Sequence, residues 1–257
     1  FFLVMAAALS LYSGAGGLDL GIEAAGFGVG AAVESDADCV ATLRANRDWP
    51  VFGEAIQDVS SQALLEAAGR AAGEVDLLFG GPPCQPFSKC GYWATGDSAR
   101  LDDPRADTVE AFLRVLRDTR PRAFLMENVT GMAYSGKDEG LQLIRRALDD
   151  INREHGTAYG VEVLVLNAAD FGVPQTRERV FLIGSREGRT FGELAPTHQP
   201  RPGQGKQRDL GLDAGLPYWR TAWDALGDLA IDDADPELQP RGKWAELDDE
   251  TKASLEK

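Results

Sequence analysis

Seven short apolar runs alternate along this chain with segments whose apolar residues recur at helical spacing, and that rhythm leaves few folds open to it. The runs cover 7–12, 30–34, a weak stretch near 51–56, 75–79, 123–126, 161–166 and 179–184. Between them, i, i+3, i+4 spacing predicts helices over 62–72, 107–119 and 141–155, after a first one opening at Gly17-Leu18-Asp19-Leu20-Gly21-Ile22-Glu23. Strands joined by helical crossovers run parallel and need both faces covered, so the prediction is an α/β sheet of Rossmann type. There is no internal repeat. The character changes after Ser185: 196–216 is rich in Pro, Gly, Gln and Arg and reads as a linker. A short amphipathic helix over 221–229 and an acidic tail follow. A sheet domain over 1–190 and an appended segment over 191–257 are therefore expected. At 257 residues the chain can bury one large core with such an appendage.

Several classes are disfavoured. The apolar opening at 1–9 is too short to span a bilayer and lacks a basic flank or a small-residue cleavage site, so a cytoplasmic protein is expected. Cys39, Cys84 and Cys90, with His155 and His198, show no metal-ligand spacing, and a metal site is not expected. Cys39 lies in a helical pattern and reads as core packing, Cys90 as an incidental loop thiol. The formal charge of −15 sits badly with nucleic acid, since phosphate contacts call for a basic footprint. From Asp228 to Lys257 ten acids face four bases, so any such contact must come from elsewhere.

Four segments bring chemistry to strand ends. Leu11-Tyr12-Ser13-Gly14-Ala15-Gly16-Gly17 is a glycine turn between the first strand and helix, and Glu34 ends the second strand, where a ribose acceptor stands in nucleotide-binding folds. A plain tight turn reads the residues nearly as well. Asp58 falls where the third strand delivers a side chain to the same cleft, or equally caps a helix from Val59 onward. Cys84 stands in Gly80-Gly81-Pro82-Pro83-Cys84-Gln85-Pro86-Phe87-Ser88. The flanking prolines make poor core-strand material, so a nucleophilic thiol is favoured over a buried structural one. Glu127-Asn128 closes an apolar strand. Its bland reading is a carboxylate in water, its functional one a glutamate desolvated toward its proton-donating form. Arg177 and Arg179, in Gln175-Thr176-Arg177-Glu178-Arg179, point to one side by period-two alternation and are as readily a solvated pair as a functional one. A thiol, a carboxyl and two guanidiniums can add sulfur to an electron-poor ring, protonate it and hold its oxygen. Cytosine is such a ring.

Taken in order, the glycine turn, Pro-Cys-Gln, Glu-Asn-Val and Gln-x-Arg-x-Arg closely resemble the motif blocks of the cytosine-C5 DNA methyltransferases, over 9–184. Phe87-Ser88 after the cysteine block favours the DNA enzymes over the related tRNA methyltransferase. The resemblance implies a class I S-adenosylmethionine-dependent methyltransferase fold with a seven-stranded, mostly parallel sheet. It puts the methyl donor over Tyr12, Ser13, Gly14, Ala15, Gly16 and Gly17, with Glu34 on the ribose, Asp58 and Val59 at the adenine, and Pro83 and Thr108 lining the pocket. It gives Cys84 the attack on C6 of a flipped cytosine and Glu127 the contact to N3. Arg177 and Arg179 would hold the base oxygen, the catalytic loop or a phosphate. Gln85, Ser88, Asn128 and Gln175 become substrate-binding candidates. The loop from Phe87 to about Arg105, hinged at Gly91 and Gly96, would close over double-stranded DNA.

One departure matters. The family continues into a target-recognition region and a Gly-Asn-x-Val-Pro block, and neither is found here. The catalytic half of a longer enzyme, a shortened piece, or one component of a split enzyme is therefore expected. A tRNA methyltransferase and a non-catalytic DNA-binding subunit are the rival readings.

Overall fold

A computed structural model of the chain describes residues 6–83, 107–132, 139–201 and 215–227. Seven strands, β1 (Ala6–Leu11), β2 (Phe27–Val33), β3 (Val51–Phe52), β4 (Leu77–Gly80), β5 (Ala123–Asn128), β6 (Glu162–Asn167) and β7 (Glu178–Ser185), lie in the order β3-β2-β1-β4-β5-β7-β6. Neighbours from β3 to β5 are parallel, and β7 is antiparallel to β5. The expected mostly parallel sheet is thus present, with an antiparallel element toward one end. The helices are α1 (Gly17–Ala24), α2 (Ala37–Asn46), α3 (Ser61–Ala67), α4 (Asp107–Thr119), α5 (Glu139–His155) and α6 (Ala222–Leu226).

The core follows from the pattern. β1 is buried from Ala7 to Leu11, and Val109, Phe112, Val115 and Leu116 turn one face of α4 inward. Gly80 ends β4 opposite Leu11, and a Cβ there would lie 2.1 Å from the Leu11 carbonyl oxygen. Only glycine lets the two strands run this close.

Two elements and one residue differ most from expectation. The third strand is two residues long, because the chain turns outward at the exposed Gly53–Ala55 stretch. The helix expected over 62–72 stops at Ala67. Gly69 takes φ +61 there, its N–H bonds Glu66 O, and Arg70 N–H bonds Leu65 O. This is a Schellman stop, which overrides the apolar spacing continued by Ala71 and Ala72. Cys39 is half-buried rather than core, because α2 turns Val40 and Leu43 inward instead.

Two compact units divide the chain, Phe1–Val165 with Val180–Gly192, and Leu166–Arg179 with Glu193–Lys257. In the second, Asp170 is a hub: its carbonyl accepts from Thr197 N and His198 N, and its Oδ1 from Trp219 Nε1 at 3.0 Å. A Thr221–Asp224 capping box starts α6.

Candidate functional site

Strand order reverses between β1 and β4, since β2 and β3 lie to one side and β5 to the other. Parallel α/β sheets bind ligands in the crevice at the carboxyl ends of such strands. All four of β1, β2, β4 and β5 deliver a candidate residue there.

β1 leaves the sheet through Tyr12 at φ 58, a left-handed conformation costly for a side chain with a Cβ. Gly14 (φ 55) and Gly16 (φ 90) continue the turn, which Gly16 N closes on Ser13 O at 3.0 Å. Tyr12 is held from the far end, its hydroxyl donating to Thr108 O at 2.7 Å. Burial drives its phenol pKa upward, with Arg114 opposing the shift, so it stays a neutral donor. Gly16 caps α1 without a side chain, and among the described residues a Cβ on Gly14 or Gly17 would meet nothing within 4 Å.

From the end of β2, Glu34 reaches back across that turn. Its Oε2 accepts from Gly14 N at 2.7 Å, and its Oε1 from Ser35 N at 2.7 Å and Asp36 N at 2.8 Å. A carboxylate offers about four acceptor positions, so room remains on Oε2 for one further donor such as a ribose hydroxyl.

Asp58 is exposed in a turn closed by Asp58 N to Ala55 O at 2.9 Å. It does not cap α3. That position belongs to Ser60, whose hydroxyl accepts from Ala63 N at 3.1 Å. Val59 beside it is buried in the main core.

At the end of β4 comes the stem of the cysteine loop. Gly81 passes so close to β5 that an added Cβ would lie 3.1 Å from Glu127 Oε2. Gly80 is thus required by the Leu11 backbone, whereas a side chain at Gly81 would only have to displace the flexible end of Glu127. Pro82 O accepts from Asn128 Nδ2 at 3.2 Å, and Pro83 O accepts from Thr108 Oγ1 at 3.2 Å. Asn128 is 2% exposed, and its Oδ1 accepts from Val129 N at 2.8 Å. Both ends of its amide therefore serve the protein. Cys84, Gln85, Ser88 and Cys90 lie outside the described residues, as does the loop to Arg105.

Gln175, Arg177 and Arg179 belong to the polypeptide entering β7. Gln175 and Arg177 are exposed and Arg179 is half-buried. Arg177 N donates to Asn167 Oδ1 at 3.0 Å, and Arg179 Nη1 to Glu178 O at 2.8 Å. Among the described residues no cluster of His, Cys, Asp and Glu could hold a metal ion, and no helix is long and apolar enough to cross a membrane.

Two charged residues at this edge escape sequence reasoning. Asp19, on α1, is fully buried; neither carboxylate oxygen has a hydrogen bond of ordinary length, although the Ser10 side chain and its own backbone N–H act on the carboxyl. Arg114, on α4, bonds the loop that carries Asp58. Each is a charge on an apolar helix face, Asp19 in register with Ile22 and Arg114 inside Phe112-Leu113-Arg114-Val115-Leu116. That misplacement was the available signal.

Comparison with known proteins adds an independent line. The family model described as C-5 cytosine-specific DNA methylase matches residues 6–236. The type II methyltransferase M.AquIA of Picosynechococcus is 46% identical over 224 residues, covering 86% of this chain and 88% of the relative. M.SacI of Streptomyces achromogenes is 36% identical over 219 residues, covering 80% of this chain but 53% of the relative. A solved structure described as a prophage-encoded DNA modification methyltransferase of E. coli superposes with a TM-score of 0.55 at 28% identity, over 70% of this chain and 46% of that one. Apart from M.AquIA, the chain spans about half the length of these relatives.

Proposed function

The chain belongs to the C-5 cytosine-specific DNA methylase family, and from that premise we propose that it provides the catalytic half of methyl transfer to C5 of cytosine in double-stranded DNA. The observation carrying this reading is the convergence, on one carboxyl edge, of the glycine turn, Glu34, the pinned Pro82-Pro83 stem and Glu127. The type II names of its relatives suggest a restriction–modification setting in the cytoplasm.

The residues present fit S-adenosylmethionine. Among the described residues nothing stands within 4 Å of a Cβ on Gly14 or Gly17, and Glu34 retains an acceptor position beside the turn. Asp58 serves the adenine side, with Pro83 and Thr108 as the wall and the core-buried Val59 behind it. When bound, the donor supplies an electrophilic methyl group on a positively charged sulfur.

The target base is flipped out of the duplex, because C5 and C6 cannot be reached within the stack. The Cys84 thiolate adds to C6, and the ring electrons move toward N3, where Glu127 holds the proton. The enamine so formed carries electron density at C5, where the methyl group is accepted. Loss of the C5 proton then expels the sulfur and restores the ring. Arg177 and Arg179 hold the base oxygen or a phosphate, and Gln85, Ser88 and Gln175 contact the substrate. Asn128 acts by fixing the stem rather than by touching the base.

Target recognition and the rest of the donor wall come from outside residues 1–257, on a continuation or on a second chain. That component also supplies the basic surface that a charge of −15 does not.

Duplex DNA carrying 5-fluorocytosine tests the reading, since fluorine cannot leave C5 as a cation. With donor and the recognition component present, mass spectrometry should find DNA covalently attached at Cys84. Methylation of ordinary DNA without an adduct at Cys84 would overturn the assignment.

A further inference from the structure

Arg114 lies on α4, and its guanidinium reaches across to the loop between β3 and α3. Nη2 donates to Ile56 O at 2.7 Å and to Val59 O at 3.0 Å, while Nη1 donates to Ser61 Oγ at 3.1 Å. Ser61 Oγ in turn donates to Asp118 Oδ2 at 2.6 Å, one helical turn along α4. The two carbonyls held by Nη2 bracket Gln57 and Asp58, whose side chains are exposed while those of Ile56 and Val59 are buried. A planar fork can bond two carbonyls and a hydroxyl from fixed directions at once, which a single ammonium cannot match without rearrangement.

The rest of this helix is tied to the same site. Thr108, in its first turn, accepts the Tyr12 hydroxyl through its carbonyl and donates its own hydroxyl to Pro83 O. One helix therefore fixes three separate walls of the crevice: the β1 turn through Tyr12, the cysteine-loop stem through Pro83, and the Asp58 loop through Arg114. The third is the least supported otherwise, because β3 contributes only two residues of strand before the chain turns outward.

We propose that Arg114 is a positioning residue for donor recognition, holding the loop so that Asp58 faces the exocyclic amino group of the donor's adenine. This rests on the proposed role of Asp58 and extends it to a residue that touches neither donor nor base. A hydrogen bond to a charged acceptor is lost when Asp58 drifts, so the effect is on discrimination between adenine and a base lacking that amino group.

The test compares S-adenosylhomocysteine with its inosine counterpart, in which a carbonyl replaces the amino group, by competitive calorimetry on the enzyme with its recognition component. The parent should prefer the adenine form by roughly tenfold or more. Arg114→Lys and Arg114→Met should shrink that preference toward unity, and Asp58→Ala should abolish it. Combining Arg114→Met with Asp58→Ala should add little beyond Asp58→Ala, because both remove one interaction. Amide exchange across 55–60 should quicken in Arg114→Lys, a readout independent of ligand. If both ligands weaken equally in the Arg114 variants while Asp58→Ala still abolishes the preference, Arg114 is only structural and the inference fails. A preference unchanged by Asp58→Ala removes the role of Asp58, and the inference falls with it.

Discussion

Asn128 and Pro82 are joined by a 3.2 Å hydrogen bond, side-chain amide to backbone carbonyl, that ties the exit of β5 to the exit of β4. The two residues are 46 apart in sequence, and the bond is buried. Two residues further on stands Cys84, so the bond sets where the thiol's stem begins. Asn128→Ala leaves Pro82 O and Val129 N without this partner, at a cost of about 1–3 kcal/mol of stability. Methyl transfer should fall by more than that loss explains, roughly 10²-fold for a stem displaced by about 1 Å. Donor affinity should change little. Single-turnover rates beside thermal melting check this, and a rate within twofold of the parent would remove Asn128 from the positioning role.

Glu127 lies on the other side of the same strand end, its Oε2 beside Gly81. If it holds the proton at N3, Glu127→Gln should slow single-turnover transfer by roughly 10²–10⁴-fold, the range for a lost general acid. Binding of S-adenosylhomocysteine should stay the same, because the residue serves the base and not the donor. An unchanged rate would exclude it from the mechanism.

The neighbouring glycines separate stability from chemistry. A Cβ on Gly80 would stand 2.1 Å from a backbone oxygen of β1, whereas one on Gly81 would stand 3.1 Å from the end of a flexible side chain. Gly80→Ala should destabilise strongly, by several kcal/mol through strand displacement. Gly81→Ala should melt close to the parent but transfer methyl slowly, because the Glu127 carboxylate must give way. Equal melting losses in both would show that Gly81 is limited by packing alone.

How much of this could be read from the sequence depends on the range of the interaction. The strands and the longer helices declared themselves because their apolar spacing is local, and α4 spans the stretch expected of it. The glycine turn and the Gly-Gly-Pro-Pro stem were legible as unusual backbone. Their physical reasons were not, because Leu11 and Glu127 are brought to Gly80 and Gly81 only by sheet order. The Asn128 contact is hidden for the same cause: nothing local reveals that its amide meets Pro82. The Schellman stop after Ala67 was hidden by apolar residues continuing beyond it.

Asp19 links the stability of the fold to pH. Its carboxyl is buried on the first turn of α1, and burial raises its pKa above the ordinary aspartate range, against the opposing pull of the Ser10 side chain and its own backbone N–H. A carboxyl with a raised folded-state pKa binds its proton more tightly folded than unfolded. Its contribution to stability is therefore complete below the unfolded pKa and is lost as pH rises through the folded one. Above that point the ionised group costs stability, because desolvation of the charge outweighs what Ser10, the helix backbone and Arg47 return to it. Asp19→Asn mimics the protonated acid at every pH. The variant and the parent should melt alike in the acidic range where both are neutral. The variant should then become the more stable as pH climbs through the raised pKa, by about 1–3 kcal/mol for an unsatisfied buried group. Glu23 and Arg47 also act on this carboxyl, the first raising and the second lowering its pKa, so Arg47→Gln should move the crossover to higher pH. Melting curves from pH 4 to pH 9 for the three proteins decide it. A constant offset between Asp19→Asn and the parent across that range would show that the carboxyl does not change charge there.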